Sequence, residues 1–80
     1  MSILAVEVEP LATLVECTSD SLSVELADGR RVTIPLAWSP RLQHATDEQR
    51  RNWRLIGGGI GIHWEDVDED LSVESLLRVR

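Results

Sequence analysis

Two runs of strictly alternating character flank Asp28–Gly29, and they constrain this chain more than anything else in it. Before the turn, Leu22, Val24 and Leu26 alternate with Ser23, Glu25 and Ala27. After it, Val32, Ile34 and Leu36 alternate with Arg31, Thr33 and Pro35. A period of two sends each apolar set to one side of an extended chain. Asp-Gly between two such runs signals a hairpin, because both residues tolerate the positive φ that a tight turn demands. The hairpin has an oily face and a wet face. On the wet face Glu25 is expected to meet Arg31 or Thr33 across the pair.

An isolated hairpin is not stable in water, so its oily face needs cover. Ile3–Val8 reads as a further strand, with Leu4, Val6 and Val8 on one face, ended by Pro10, which has no amide hydrogen to donate. Thr13–Cys17 is β-prone, and Thr18–Ser21 is a polar turn. Pro35 and Pro40 argue against a helix running through Leu36–Ala45. Thr46, followed by Asp47, Glu48 and Gln49, predicts a capping box and a helix from Thr46 to Ile56. Trp53 and Ile56 face the core in this reading, and Gly57–Gly59 stop the helix. Ile60, Ile62 and Trp64 predict a last strand. Ser72 predicts the N-cap of a short terminal helix carrying Val73, Leu76 and Leu77 inward. The expected class is α+β, in a single domain over residues 1–80. A small antiparallel meander of roughly three or four strands is packed by one helix near 46–56 and a short C-terminal helix.

Charge and cysteine content narrow the function classes. Eight basic residues, all arginine, face fourteen acids, for a formal net charge of −6. A free-standing nucleic-acid binder carries the opposite excess, since it must displace counterions from phosphate. The acidic balance suits solubility or a partner with a basic surface. The single cysteine, Cys17, permits neither an internal disulfide nor a cysteine-based zinc site. A chain this small without cystines is expected in a reducing cytoplasm. The N-terminus lacks a basic start, and no apolar stretch is long enough to span a bilayer.

The motifs that resemble chemistry fail on inspection. Gly57-Gly58-Gly59-Ile60-Gly61 is glycine-rich, but a phosphate cradle leads into a helix N-terminus and uses a lysine, which the chain lacks. Asp66, Asp68 and Asp70 have the first spacings of a calcium loop, yet Leu71 and Leu77 stand where glycine and glutamate are needed. His63 beside Trp64, Glu65 and Asp66 suits a structural His–carboxylate pair better than a catalytic base, which needs a nucleophile in reach. Neither an enzyme nor a cofactor or metal site is therefore expected. Arg41, Arg50, Arg51 and Arg54 have two readings: internal pairing with the Glu65–Asp70 run, or an edge that meets a partner or nucleic acid. Of the tryptophans, Trp38 in its proline-bracketed segment is the expected exposed anchor.

These residues also resemble a known family. Leu26-Ala27-Asp28-Gly29-Arg30, Ile34-Pro35-Leu36-Ala37-Trp38, Pro40-Arg41-Leu42, Gly61-Ile62-His63-Trp64 and Asp68-Glu69-Asp70-Leu71-Ser72 with Leu76-Leu77 are similar to the bacterial domain of unknown function 2442. Members usually carry proline after the tryptophan of the last strand, where this chain has Glu65. The resemblance implies a small α+β domain with an antiparallel sheet. Longer members continue into a helix-turn-helix domain. Stand-alone members are often encoded beside another small protein and have been proposed as antitoxins of toxin–antitoxin pairs. The resulting expectation is a protein-interaction module for a basic partner, with contact residues Trp38, Arg41, Trp64, Glu65, Asp66, Asp68, Glu69 and Asp70. A nucleic-acid-associated regulator using the arginine edge is the alternative, and a structural domain with no site of its own is a second. Unpaired sheet edges also leave open a homodimer by strand addition.

Overall fold

The computed structural model describes residues 10–78. The strand expected over Ile3–Val8 lies outside them. Strands β1 (Ala12–Cys17), β2 (Ser21–Leu26) and β3 (Arg31–Pro35) form one antiparallel sheet in chain order. A 3-10 turn over Leu36–Trp38 and single helical turns α1 (Pro40–Gln43) and α2 (Asp47–Arg51) lead to a second sheet. That sheet comprises β4 (Trp53–Ile56), β5 (Gly61–Trp64) and β6 (Glu69–Ser72), also antiparallel and in chain order, and is followed by α3 (Val73–Leu77).

The central hairpin is present. Glu25 stands opposite Arg31, and Ser23 opposite Thr33 with their hydroxyls 2.8 Å apart. Its connection is a turn in which the Gly29 amide donates to Leu26 O at 3.0 Å, with Gly29 at φ +95°. Asp28 accepts from the Arg30 amide at 3.0 Å, which holds its carboxyl below its ordinary pKa, helped by the Arg30 guanidinium. In β1 the register slips between Ala12 and Leu14. This bulge lets Ala12 and Val15, three positions apart, both face inward, and it turns Leu14 out to water.

The α+β class is as expected, but the covering layer differs. The helix begins at the capping box, where Gln49 N–H donates to Thr46 Oγ1 at 3.1 Å and Thr46 N–H to Gln49 Oε1 at 2.9 Å. It ends at Asn52 rather than Ile56, and Trp53–Ile56 is a strand. The physical reason is partner geometry. Trp53 pairs with Trp64 and Leu55 with Ile62, so a period of two buries both against β5, whereas a helix would have aligned Trp53 with Ile56. Ile56 instead faces outward. Gly57–Gly59, all at positive φ, form the β4–β5 connection rather than a helix stop. Ile60 belongs to this connection and is exposed, not part of the strand. The oily face of the hairpin is therefore covered by a second sheet, not by a tryptophan-bearing helix. Ala12, Val15, Leu22, Val24, Leu26 and Ile34 from the first sheet share one core with Ile62 and Trp64 from the second, closed by Leu36, Leu42, Val73 and Leu76.

A candidate contact surface beside Trp38

The acidic run is built into a loop and a strand. Glu65–Val67 forms a 3-10 turn, Asp68 takes a left-handed conformation at φ +51°, and Glu69–Ser72 is edge strand β6. Most of its acids have internal partners. Glu65 lies 3.3 Å from Arg54 Nη2 and 3.4 Å from His63 Nε2. Asp66 accepts from Asn52 Nδ2 at 3.0 Å, and Asp70 pairs with His63 Nδ1 across the strands. Glu69 accepts from Ser39 Oγ at 2.8 Å. The Asp68 carbonyl accepts from Arg41 Nη1. Among the described residues no group of His, Cys, Asp and Glu is arranged to hold a metal ion.

Two of these contacts place the site. Ser39 and Arg41 both reach the acidic run, so the segment carrying Trp38 is laid along it. Trp38 is 54% exposed. Beside it runs a groove of about 270 Å³ lined by Ile34, Trp38, Ser39, Leu71, Ser75 and Leu76. Its walls are mainly carbon; Glu69, which accepts from the lining Ser39, and Asp68, whose carbonyl holds Arg41, lie beside this segment. Trp38 stays out because the chain is extended at Pro35 and again at Ser39, so the intervening 3-10 turn buries Leu36 and turns Trp38 away.

Trp64 must be withdrawn from the contact residues. It is fully buried, and its Nε1 donates to Arg50 O at 3.1 Å. Its alternation with His63 on β5 sends it inward, leaving it no surface to offer. The arginines are largely taken up internally. Arg50 is buried and donates to Leu42 O, Gln43 O and Asp47 Oδ1, each at 2.8 Å. Arg54 and Arg41 meet the acidic run as described. Arg51 is exposed, at the mouth of a cleft with Glu16, Cys17, Thr18 and Trp53. Half-burial raises the Cys17 thiol above its ordinary pKa, opposed by the Arg50 charge.

His63 occupies the outer face of the second sheet, in one cross-strand row with Arg54 and Asp70. The hydrogen bond to Asp70 raises its pKa, and the Asp70 and Glu65 charges add to this. Partial desolvation and Arg54 oppose it. The pair that sequence suggested, His63 with a neighbouring carboxylate, thus forms mainly with Asp70. Sequence missed Ser39, which reads as a loop serine. Its signal was the Ser-Pro pair, an N-cap before a proline at the first helical position. No helix among the described residues is long and apolar enough to cross a membrane.

The architecture has a solved counterpart. A protein of unknown function from Rhodospirillum rubrum ATCC 11170 superposes with a TM-score of 0.74 at 32% identity, over 86% of each chain. No curated protein matches the sequence. The family model described as "Protein of unknown function (DUF2442)" matches residues 12–80, so the chain belongs to the DUF2442 family.

Proposed function

We propose that this chain is a protein-interaction module, the antitoxin-like member of a two-protein system, and that it binds a basic partner with the surface around Trp38. The carrying observation is the half-exposed Trp38 beside a carbon-lined groove whose lining Ser39 is hydrogen-bonded to the Glu69 carboxylate. A large ring left in water at the edge of an apolar groove is the composition of a binding hot spot. The acids suit a partner whose apolar anchor is flanked by arginine or lysine, and they speed and orient the encounter more than they tighten it. Such a partner would include a toxin whose basic RNA-binding groove is blocked by the complex. The net charge of −6 and the internal use of Arg41, Arg50 and Arg54 weigh against direct nucleic-acid contact.

Co-purification with the product of the neighbouring gene, followed by rate measurements, tests the reading. Trp38→Ala should weaken the complex by about 30-fold or more, the loss of a hot spot of at least about 2 kcal/mol. Asp68→Asn combined with Asp66→Asn should slow association several-fold at low salt and much less at high salt. Asparagine keeps the left-handed backbone at position 68 accessible. Unchanged binding in both variants, or a salt-dependent shift of RNA by the purified chain, would overturn the proposal.

A further inference from the structure

We propose that the cleft between the two sheets at Cys17, Arg51 and Trp53 binds a small planar monocarboxylate. It shares no lining residue with the groove beside Trp38, so this inference stands apart from the partner surface. Among the described residues, β1 and β4 are edge strands of different sheets, with no ladder joining them. The space they leave is about 400 Å³, lined by Val15, Glu16, Cys17 and Thr18 on one side and by Arg51 and Trp53 on the other. That size falls within the range of small-ligand sites, about 300–1,000 Å³.

The ligand class follows from the lining. Among the described residues, every arginine but Arg51 meets an acid or a backbone carbonyl. The exposed Arg51 therefore keeps its full fork of donors for an anion at the mouth of the cleft, and that fork matches a carboxylate. The half-buried Trp53 offers a flat ring against which a planar body can stack. Val15 and Cys17 add carbon and sulfur, and burial holds the Cys17 thiol in its neutral form. The Thr18 hydroxyl already accepts from the Asp20 and Ser21 amides, at 3.1 and 3.0 Å, so the body of the ligand meets mainly apolar contact. Glu16 limits the charge. Its carboxylate, partly offset by Arg31, stands on the same lining in a chain of net charge −6, and it repels a second negative charge. A singly charged carboxylate is therefore preferred to a phosphate group.

NMR titration of the full chain with naphthoate, its neutral analogue naphthamide and inorganic phosphate tests this. Naphthoate should shift the Trp53 indole N–H and the Cys17 and Arg51 amides, and leave the Trp38 indole N–H in place. Bound naphthoate should also slow alkylation of Cys17, the sole cysteine, by iodoacetamide. Naphthamide should bind more weakly than naphthoate. Arg51→Gln, a substitution at an exposed position, should weaken naphthoate about tenfold, the loss of a charge-assisted hydrogen bond, while naphthamide binds both chains alike. Shifts that miss this cleft, equal affinity for naphthoate and naphthamide, an Arg51→Gln chain that binds naphthoate unchanged, or phosphate moving the same resonances at lower concentration would each overturn the proposal.

Discussion

At the residue scale, His63 couples the second sheet to pH. Asp70 raises its pKa above the ordinary value near 6.5, so between those two values the folded chain holds a proton that the unfolded chain has released. Stability from the charged pair is therefore fully present below the ordinary value and is lost as pH rises through the raised one. Thermal midpoints measured from acid to mildly alkaline pH should fall across that window. In His63→Gln the fall should vanish, and in Asp70→Asn an imidazole titration by NMR should move back toward the ordinary value. Gly59 is constrained for a different reason. It sits at φ +109°, and a Cβ there would lie 2.6 Å from the Ala12 carbonyl oxygen. Gly29 shares a positive φ but has open space around it. Gly29→Ala should cost about 1–2 kcal/mol for backbone conformation alone. Gly59→Ala should cost more than that, because backbone must also move, and urea unfolding of the two variants side by side checks the order.

At the element scale, Arg50 is the joint between the irregular middle of the chain and the second sheet. Its guanidinium donates to the carbonyls of Leu42 and Gln43 at the end of α1 and to Asp47, while its own carbonyl accepts from Trp64. Arg50→Ala leaves two carbonyls without their donor at a buried position, which should cost roughly 2–4 kcal/mol. Arg50→Lys should recover only part of it, since an ammonium cannot reproduce the planar fork. Denaturant midpoints of the pair measure both. This joint also shows what was legible in the sequence. The Asp28–Gly29 hairpin, the Thr46 capping box and the Ser72 cap are local signals, and local chemistry decides them. Trp53–Ile56 was illegible as a strand because four residues after a good helix start carry both periods. Only pairing with Gly61–Trp64, which period alone does not reveal, settles which one wins. Trp64 was misread as a contact for the same reason: its neighbours in sequence are acids, but its neighbours in space are the core. Exposure of Trp38 was readable from the prolines around it, whereas the Ser39–Glu69 and Arg41–Asp68 contacts that set it against the acidic run were not.

At the scale of the whole molecule, neither sheet has a core of its own. The inner face of β1–β3 is covered by Ile62 and Trp64, and that of β5 by Val15, Val24 and their neighbours. Among the described residues each sheet has three strands, too few to be stable with one apolar face in water. The two should therefore unfold as one cooperative unit, unlike a stable hairpin carrying a loose appendage. Two mild core truncations separate these cases. Val24→Ala removes methyl groups from the first sheet, and Ile62→Val removes one from the second, at about 0.5–1.5 kcal/mol for the latter. Native-state hydrogen exchange then reads β2 and β5 amides separately. In a single unit, each substitution lowers the protection of the slowest amides in both sheets by the same factor. If Ile62→Val loosened β5 while β2 kept its protection, the first sheet would be stable alone and the shared core would not be what holds this chain together. Cooperative behaviour also bears on the surface. Trp38, Leu71 and Leu76 come from three separate segments, so the groove beside Trp38 exists only while both sheets are docked, and any partner that fills it must stabilise the entire fold by mass action.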